Sequence, residues 1–202
     1  MSPDFKLGLE QLSLGQPVIL TDAQRENEGD IAFAACYCTP QLVSLCLNHG
    51  RGLLCLALWP EDAFRLGIQR LPSNNRDLYG TPFGVPIGLA DGSSGISAAA
   101  RSATIRAAAN KDYDASQFAF PGHVHTLLAH PAGLAGRFGH TEGVLELLRH
   151  AGLSGPGVLC EVLNSDGEVA NADELKQLSS ERNMPIVRLE EVLALIRPKR
   201  FQ

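Results

Sequence analysis

A charged segment between two apolar runs constrains the first part of this chain more than any other feature. Residues 25–30 read Arg-Glu-Asn-Glu-Gly-Asp, and residues 17–20 and 31–36 on either side are apolar. This pattern predicts two strands joined by a charged turn. Glu26 and Glu28 are two residues apart, so their side chains point to one side of an extended chain. Because neighbouring carboxylates repel one another, the segment is either a solvated hairpin turn or a site for an arginine, a metal ion or a polyol.

The rest of the chain alternates short apolar runs with helical patterns, which is typical of an α/β domain. Further strands are predicted over residues 53–58, 83–89, 158–163 and 186–187. Helices are predicted over residues 5–15, 40–48, 61–66, 98–109 and 189–196, and two more begin near residues 141 and 171. Gly84 and Pro86 favour an edge position for residues 83–89, and residues 70–82 read as a surface loop. We therefore expect one α/β (α+β) domain over residues 1–202, with a mixed sheet packed with helices.

Composition and charge exclude several classes of function. The 202 residues carry a net charge of −5 and no dense basic run, which argues against a nucleic-acid partner. The longest strongly apolar run, residues 53–59, is too short to cross a bilayer, and the N-terminus lacks the features of a signal peptide. We therefore expect no membrane partner and a cytoplasmic location. The five cysteines lie in apolar segments and predict reduced, mostly buried thiols.

A second polar constellation, residues 137–142, reads Arg-Phe-Gly-His-Thr-Glu and precedes a clear helical pattern. Gly139 allows the backbone to approach a ligand closely. Thr141 lies at the predicted helix N-terminus, where free N–H groups and the helix dipole favour an anion. Arg137 can add a bidentate contact to a phosphate. The pattern fits either a phosphate site or an ordinary helix start, in which Thr141 is the N-cap and Glu142 complements the dipole.

Two further features are candidates for chemistry. Glu161 lies within the apolar run 158–163, so it either faces solvent by alternation or is buried for a functional reason. His140 and Glu26 could together hold a divalent ion through imidazole and carboxylate ligands. A lone histidine is more often an ordinary surface or core residue, so the metal site needs support from the remainder of the chain.

Six ordered segments provide that support. They are Arg25-Glu26-Asn27-Glu28-Gly29-Asp30, His49-Gly50-Arg51-Gly52-Leu53, Gly95-Ile96-Ser97-Ala98, Pro121-Gly122-His123-Val124, Arg137 with Gly139-His140-Thr141-Glu142, and Cys160-Glu161 with Asn164 and Gly167. In these segments the chain resembles the 3,4-dihydroxy-2-butanone 4-phosphate synthase family of riboflavin biosynthesis. The resemblance extends over nearly the whole chain. Enzymes of this family convert ribulose 5-phosphate to the butanone phosphate and formate.

The resemblance implies a divalent-metal-dependent lyase that works as a homodimer, with its sites near the subunit interface. The cofactor would be Mg²⁺ or Mn²⁺ between Glu26 and His140, and proton transfer would involve His123 and Glu161. The residues implied in binding the phosphosugar are Arg25, Glu26, Asp30, Arg137, Gly139, His140, Thr141 and Glu161. Four further candidates for the same site are Glu28, Cys55, Ser93 and Ser94.

Three positions depart from the family pattern. Thr21, Gly88 and Ala100 stand where the family has acids, and Asp22 could replace the first of them only if the turn shifts. The metal, phosphate and proton-transfer residues all match. The chain is therefore either a synthase with altered substrate contacts, or a paralogue that uses the same metal-enolisation site on another phosphosugar or stops part-way, outside riboflavin supply. A non-catalytic dimeric binding module is the third alternative.

Overall fold

The computed structural model describes residues 1–23, 28–72 and 79–196. Its strands are β1 (Val18–Thr21), β2 (Gly29–Ala34), β3 (Arg51–Leu58), β4 (Phe83–Leu89), β5 (Phe118–Leu128), β6 (Gly157–Val162) and β7 (Ile186–Arg188). Its α-helices are α1 (Pro3–Ser13), α2 (Pro40–Leu45), α3 (Pro60–Arg65), α4 (Ala98–Ala109), α5 (His140–His150), α6 (Ala172–Arg182) and α7 (Leu189–Ile196).

The strands form one mixed sheet in the order β4-β5-β3-β6-β2-β1-β7. β3 and β5 are parallel, as are β1 and β7, and the remaining neighbours are antiparallel. The predicted α/β fold with a mixed sheet is therefore confirmed. The edge position predicted for β4 from its glycine and proline is also confirmed, because its only neighbour in the described sheet is β5.

Both faces of the sheet are covered by helices, so the central strands are buried on both sides. All six residues of β2 are buried. Ile31 and Phe33 pack in one apolar cluster with residues of α2, α4 and α6. Ala32 and Ala34 point the other way and pack in a second cluster with α1, α5 and α7. A polar side chain on these central strands therefore needs a partner or a function.

Helix α5 brings a polar N-terminus onto the second face. Nine of its eleven residues are buried, including the polar His140, Thr141 and Glu142 at its start. The helix packs against β2, β3 and β6. Gly139 is its N-cap, and it provides no side-chain hydrogen bond to the first turn. Thr141 is the second residue of the helix, so the alternative in which it serves as the N-cap is wrong.

Several predicted boundaries need correction. β2 ends at Ala34, and residues 35–37 form a 3₁₀ turn, so the strand predicted to residue 36 is too long. The helix predicted over residues 40–48 ends as an α-helix at Leu45 and continues as a π-helical turn, Cys46–Gly50. The predicted turn at residues 25–30 and loop at residues 70–82 fall partly outside the described residues.

Other predictions of local structure are confirmed. The helices predicted over residues 98–109 and from near residue 171 are found: Ser97 caps α4 by accepting a hydrogen bond from the N–H of Ala100, and Asn171 caps α6. All five cysteines are free, and Cys36 alone among them is exposed. Across the described ranges, no helix has both the length and the apolar character needed to cross a membrane.

Candidate active site

Two carboxylates face each other across the centre of the sheet. The register of β2 and β6 pairs Asp30 with Glu161. Glu161 follows the buried Leu159 by two residues and so lies on the same face, the one covered by α5. Glu161 is half-buried on this helix-covered face, so it lies between the two alternatives of full exposure and burial.

His140, the first residue of α5, lies between two buried aspartates. Its Nδ1 hydrogen-bonds Oδ2 of Asp30, and its Nε2 is 3.1 Å from Oδ2 of Asp22. The second contact is an ion pair without hydrogen-bond geometry, so within the described residues the buried Nε2 makes no hydrogen bond. All three side chains are buried. One histidine thus joins the end of β1, the start of β2 and the N-terminus of α5.

These contacts determine the charge of His140. Burial by itself lowers the pKa of His140, but the contacts with Asp22 and Asp30 outweigh it and raise this pKa to about 10. The ring is therefore an imidazolium at neutral pH. It compensates part of the negative charge that Asp22 and Asp30 bring into the protein interior.

The pKa of Glu161 is shifted by other causes. Burial, together with the smaller effects of the negative charges of Asp30 and Glu28, raises the pKa of Glu161 to about 7. Its Oε2 accepts a 2.7 Å hydrogen bond from the backbone N–H of Leu53 on β3. A carboxyl group with a pKa near neutrality can both give and take a proton at physiological pH. Burial raises the pKa of the Cys55 thiol, and the negative charge of the nearby Glu161 raises it further. The thiol therefore stays neutral.

A second buried ion pair shapes the segment before α5. Glu142 is fully buried, and its Oε2 accepts a 2.9 Å hydrogen bond from Nη1 of Arg137. Its Oε1 accepts a hydrogen bond from the N–H of His130, also at 2.9 Å. Arg137 further donates to the carbonyl of Tyr79 at 3.3 Å. Glu142 thus holds the guanidinium beside the N-terminus of α5, where an anion is favoured.

His123 lies on β5, and β3 separates that strand from the strand of Glu161. The side chain of His123 is exposed. A Cβ placed on Gly95 would lie 3.1 Å from Nδ1 of His123, so the turn that carries Ser93 and Ser94 runs beside this histidine. Both serines are exposed. His123 is thus available to a ligand in solvent, whereas Glu161 is half-buried.

The described residues therefore bring together part of the predicted site. Asp30, His140 and Glu161 form one centre, with Glu28 near enough to affect Glu161. Arg25 and Glu26, and with them the predicted metal pair Glu26–His140, lie outside the described residues. Within the described ranges, no three histidine, cysteine or carboxylate side chains are arranged to share a metal ion.

Sequence reasoning missed three features of this centre. The sequence indicates Asp22 only as a replacement for an absent acid, because its contact with His140 depends on where α5 packs. Glu142 has the sequence position of a helix-start residue, but its buried ion pair with Arg137 also makes it a structural anchor. The N–H of Leu53 carries no signal in the side-chain sequence.

Gly88 and Ala100, two of the three positions at which the family has an acid, lie near each other in the structure. Oγ1 of Thr104 accepts a 3.1 Å hydrogen bond from the N–H of Leu89 and donates one of 3.0 Å to the carbonyl of Ala100. Gly88 and Ala100 therefore lie on either side of one threonine. In the described part of the chain, the buried Nε of Arg101 makes no hydrogen bond. The losses are thus grouped at the contact of β4 with α4, and the carboxylates around His140 remain.

Comparison with known proteins shows the family. The model of the 3,4-dihydroxy-2-butanone 4-phosphate synthase family matches residues 7–195. A curated protein of that name from Cronobacter sakazakii is 42% identical over 178 residues, which cover 88% of this chain and 82% of that one. Another from Ralstonia nicotianae is 41% identical over 186 residues, covering 91% and 82%. The fold and the paired acid–histidine centre thus define an enzyme rather than a binding module.

Solved structures are also similar. A crystal structure of 3,4-dihydroxy-2-butanone 4-phosphate synthase in complex with two magnesium ions has a TM-score of 0.88, is 28% identical, and is covered over 95% of both chains. A two-domain synthase from A. baumannii has a TM-score of 0.90 at 31% identity; the match covers 98% of this chain but 59% of that one. This chain belongs to the 3,4-dihydroxy-2-butanone 4-phosphate synthase family.

Proposed function

We propose that this protein converts D-ribulose 5-phosphate to 3,4-dihydroxy-2-butanone 4-phosphate and formate, the reaction that supplies riboflavin biosynthesis. One observation carries the proposal: Glu161, with its pKa near neutrality, lies across the β2–β6 ladder from Asp30, which holds His140. The reaction requires enolisation, dehydration, rearrangement of the carbon skeleton and loss of C4. Each step moves a proton, so an enclosed group that exchanges protons at neutral pH is its central requirement.

The residues at this centre fit a divalent cation. Nε2 of His140 is buried without a hydrogen bond in the described residues, and a carboxylate oxygen of Asp22 lies 3.1 Å away. Imidazole nitrogen and carboxylate oxygen suit Mg²⁺ and Mn²⁺. We assign the ion to His140 and Glu26. When bound, it would polarise the carbonyl and hydroxyl oxygens of the sugar as a Lewis acid.

The other residues take separate roles in this proposal. Glu161 removes and returns protons at the sugar carbons, and His123 serves the proton transfers on the exposed side. Arg25, Asp30 and Glu28 orient the hydroxyl groups, with Cys55, Ser93 and Ser94 at the margins of the same site. The N–H groups of Gly139, His140 and Thr141, together with Arg137, hold the phosphate. A fixed phosphate orients the reacting carbons and lowers the entropic barrier to each step.

The proposed reaction is tested by detecting its one-carbon product, formate. Purified protein is incubated with Mg²⁺ and ribulose 5-phosphate labelled with carbon-13 at C4, and the products are followed by NMR. We expect labelled formate and the butanone phosphate in equal amounts. Loss of substrate without formate would instead support a different reaction on the same phosphosugar, in line with the absent acids at Thr21, Gly88 and Ala100. Absence of turnover with Mg²⁺ or Mn²⁺ would reject the proposal.

The phosphate assignment makes a separate prediction for Arg137→Lys. A lysine keeps the positive charge but loses the bidentate geometry and the link between Glu142 and the substrate. We expect the KM for ribulose 5-phosphate to rise about tenfold with little change in kcat. Arg149→Lys, at the exposed other end of α5, is the matched control. Equal KM values for the two variants would remove Arg137 from the phosphate site.

We also propose that the chain forms a homodimer near this site. Leu53, Ile96 and Phe120 are large apolar side chains that are 38%, 54% and 41% exposed. All three belong to segments that adjoin His123 or Glu161. Apolar groups grouped at a functional edge are typical of an interaction surface. Size-exclusion chromatography with light scattering should give twice the mass of one chain; a monomer at micromolar concentration would contradict this.

A further inference from the structure

Three irregularities of the backbone converge on Glu161. The segment before β3 is a π-helical turn, Cys46–Gly50. Arg51 follows with a φ of 72°, in the left-handed region that a non-glycine residue rarely adopts. The ladder between β3 and β6 then shifts register between Arg51 and Leu54. Each of these features costs conformational energy, and such features concentrate at functional sites.

The register shift frees one backbone donor. In a regular antiparallel ladder, the N–H of a β3 residue opposite β6 bonds a backbone carbonyl or points away. At the bulge, the N–H of Leu53 instead donates to the side-chain Oε2 of Glu161 at 2.7 Å. The neighbouring backbone is held by the N–H of Leu163, which donates to the carbonyl of Gly50 at 2.7 Å. Nη1 of Arg51 adds a hydrogen bond to the carbonyl of Leu163 at 3.0 Å.

Gly52 provides the space that this contact needs. A Cβ on Gly52 would lie 2.7 Å from both the Cβ and the backbone oxygen of Glu161, and 2.8 Å from its Oε2. Two of these three atoms belong to the strand itself and cannot rotate away. The φ of Gly52 is not in the left-handed region. Glycine is therefore required here by the closeness of Glu161 rather than by the backbone conformation.

We propose that Gly52 and the N–H of Leu53 are positioning elements that fix the carboxyl group of Glu161 for proton transfer. The inference rests on the proposed function, because it assumes that Glu161 moves protons. The strained turn and the bulge have a purpose in this account: they turn a backbone N–H away from the sheet ladder and toward a side chain. The charged groups near Glu161 are Asp30 on β2 and Glu28 just before that strand, and the neutral thiol of Cys55 lies on the neighbouring β3.

Gly52→Ala tests the requirement for space. The methyl group would push the carboxyl group away from its position, and a displacement of about 1 Å lowers a rate about 100-fold. We expect kcat to fall by that factor with KM for ribulose 5-phosphate unchanged. Gly8→Ala in α1 is the matched control, because its Cβ would lie 2.5 Å from Cγ2 of Val187. Val187 is on β7, and β2 and β1 separate that strand from the strand of Glu161. It should lower stability without lowering kcat.

Replacing Leu53 by its α-hydroxy analogue tests the hydrogen bond without adding an atom. The peptide N–H becomes an ester oxygen, so the donor to Glu161 is lost. Because that bond stabilises the carboxylate, its loss raises the pKa of Glu161. We expect the apparent pKa near neutrality in the kcat/KM pH profile to shift to higher pH by about one unit. The same replacement at Leu163 removes a donor to Gly50 and should leave the limb in place.

The outcomes separate this inference from the proposed function. If the wild type releases formate but Gly52→Ala keeps full kcat and the Leu53 ester keeps the wild-type pH limb, the positioning role is wrong and the function stands. If Gly52→Ala does not fold, the kcat/KM pH profile of the Leu53 ester variant alone decides whether the positioning role is correct. If the wild type releases no formate, the proposed function has failed first.

Discussion

Replacing Glu161 by glutamine is expected to lower kcat for formate release by about 10²–10⁴-fold, the usual contribution of a general acid–base group. Glutamine has nearly the same shape, and its amide oxygen can still accept the hydrogen bond from Leu53. It cannot, however, take or give a proton. The KM for ribulose 5-phosphate should change little, because the phosphate is held elsewhere. Initial rates of formate release measured by NMR check this result.

The same substitution is expected to make the protein more stable above neutral pH. Folding raises the pKa of Glu161 from 4.5 to about 7, so the folded state binds this proton more tightly than the unfolded state. The stability of the wild type therefore falls as the pH rises from 4.5 to 7 and stays lower above that range. Glu161→Gln should gain at most about 3 kcal/mol at pH 8, less to the extent that solvent reaches the group, and little at pH 5.

Urea unfolding at the two pH values measures this gain. Glu168→Gln, which removes an exposed carboxylate from the hairpin after β6, is the control and should change stability at neither pH. A Glu161→Gln protein that keeps near-wild-type kcat would remove Glu161 from the chemistry. The difference in unfolding free energy between Glu161→Gln and the wild type should be larger at pH 8 than at pH 5. An equal difference at the two pH values would show that folding does not raise the pKa of Glu161.

The second large effect is expected from His140→Ala. Removing the imidazolium leaves Asp22 and Asp30 buried next to each other without their shared cation. Breaking a buried ion pair from one side costs about 3–5 kcal/mol. We expect a loss of that size in the metal-free protein at pH 7, together with loss of formate release. His150→Ala, at the exposed end of α5, is the matched control and should change neither quantity.

The pH dependence gives this prediction a distinct signature. Folding raises the pKa of His140 from 6.5 to about 10, so its stabilising contribution is complete below pH 6.5 and is lost as the pH rises through 10. The metal-free wild type should therefore lose stability between pH 7 and 10, and His140→Ala should not show this decline. Adding Asp22→Asn to His140→Ala should recover part of the loss. Parallel pH curves for wild type and His140→Ala would contradict the ion-pair assignment.

The sequence predicted six of the seven described strands, because these six are apolar runs of ordinary length; the 11-residue β5 was not among the predicted strands. Residues 53–58 and 83–89 are found nearly as expected; residues 54–58 are buried, whereas the edge strand at residues 83–89 is only partly buried. The π-helical turn Cys46–Gly50 was not predictable, because its side chains continue the helical pattern of α2. The strand predicted to end at residue 36 was too long for a similar reason, since an apolar run does not show where a ladder ends.

The site was predictable in its residue types but not in its contacts. His140 and Glu161 were identified from ordered motifs; the structure places His140 at the start of α5 and Glu161 on the sheet face that α5 covers. Their charge environments come from long-range packing: Asp22 and His140 are far apart in sequence and meet because α5 packs against β1, the strand that Asp22 follows. Backbone groups such as the N–H of Leu53 are present at every position, so the sequence cannot show which one becomes functional.

The most direct test of the account is nitrogen-15 NMR of the His140 ring during titration with Mg²⁺. A metal ion can bind the imidazole only in its neutral form. We therefore predict that the ring resonances of His140 are those of an imidazolium at pH 7 without metal, and that they shift to a neutral, ligated ring as Mg²⁺ saturates the site. Ring signals that stay unchanged at Mg²⁺ concentrations supporting full formate release would contradict the central claim that His140 anchors the catalytic ion.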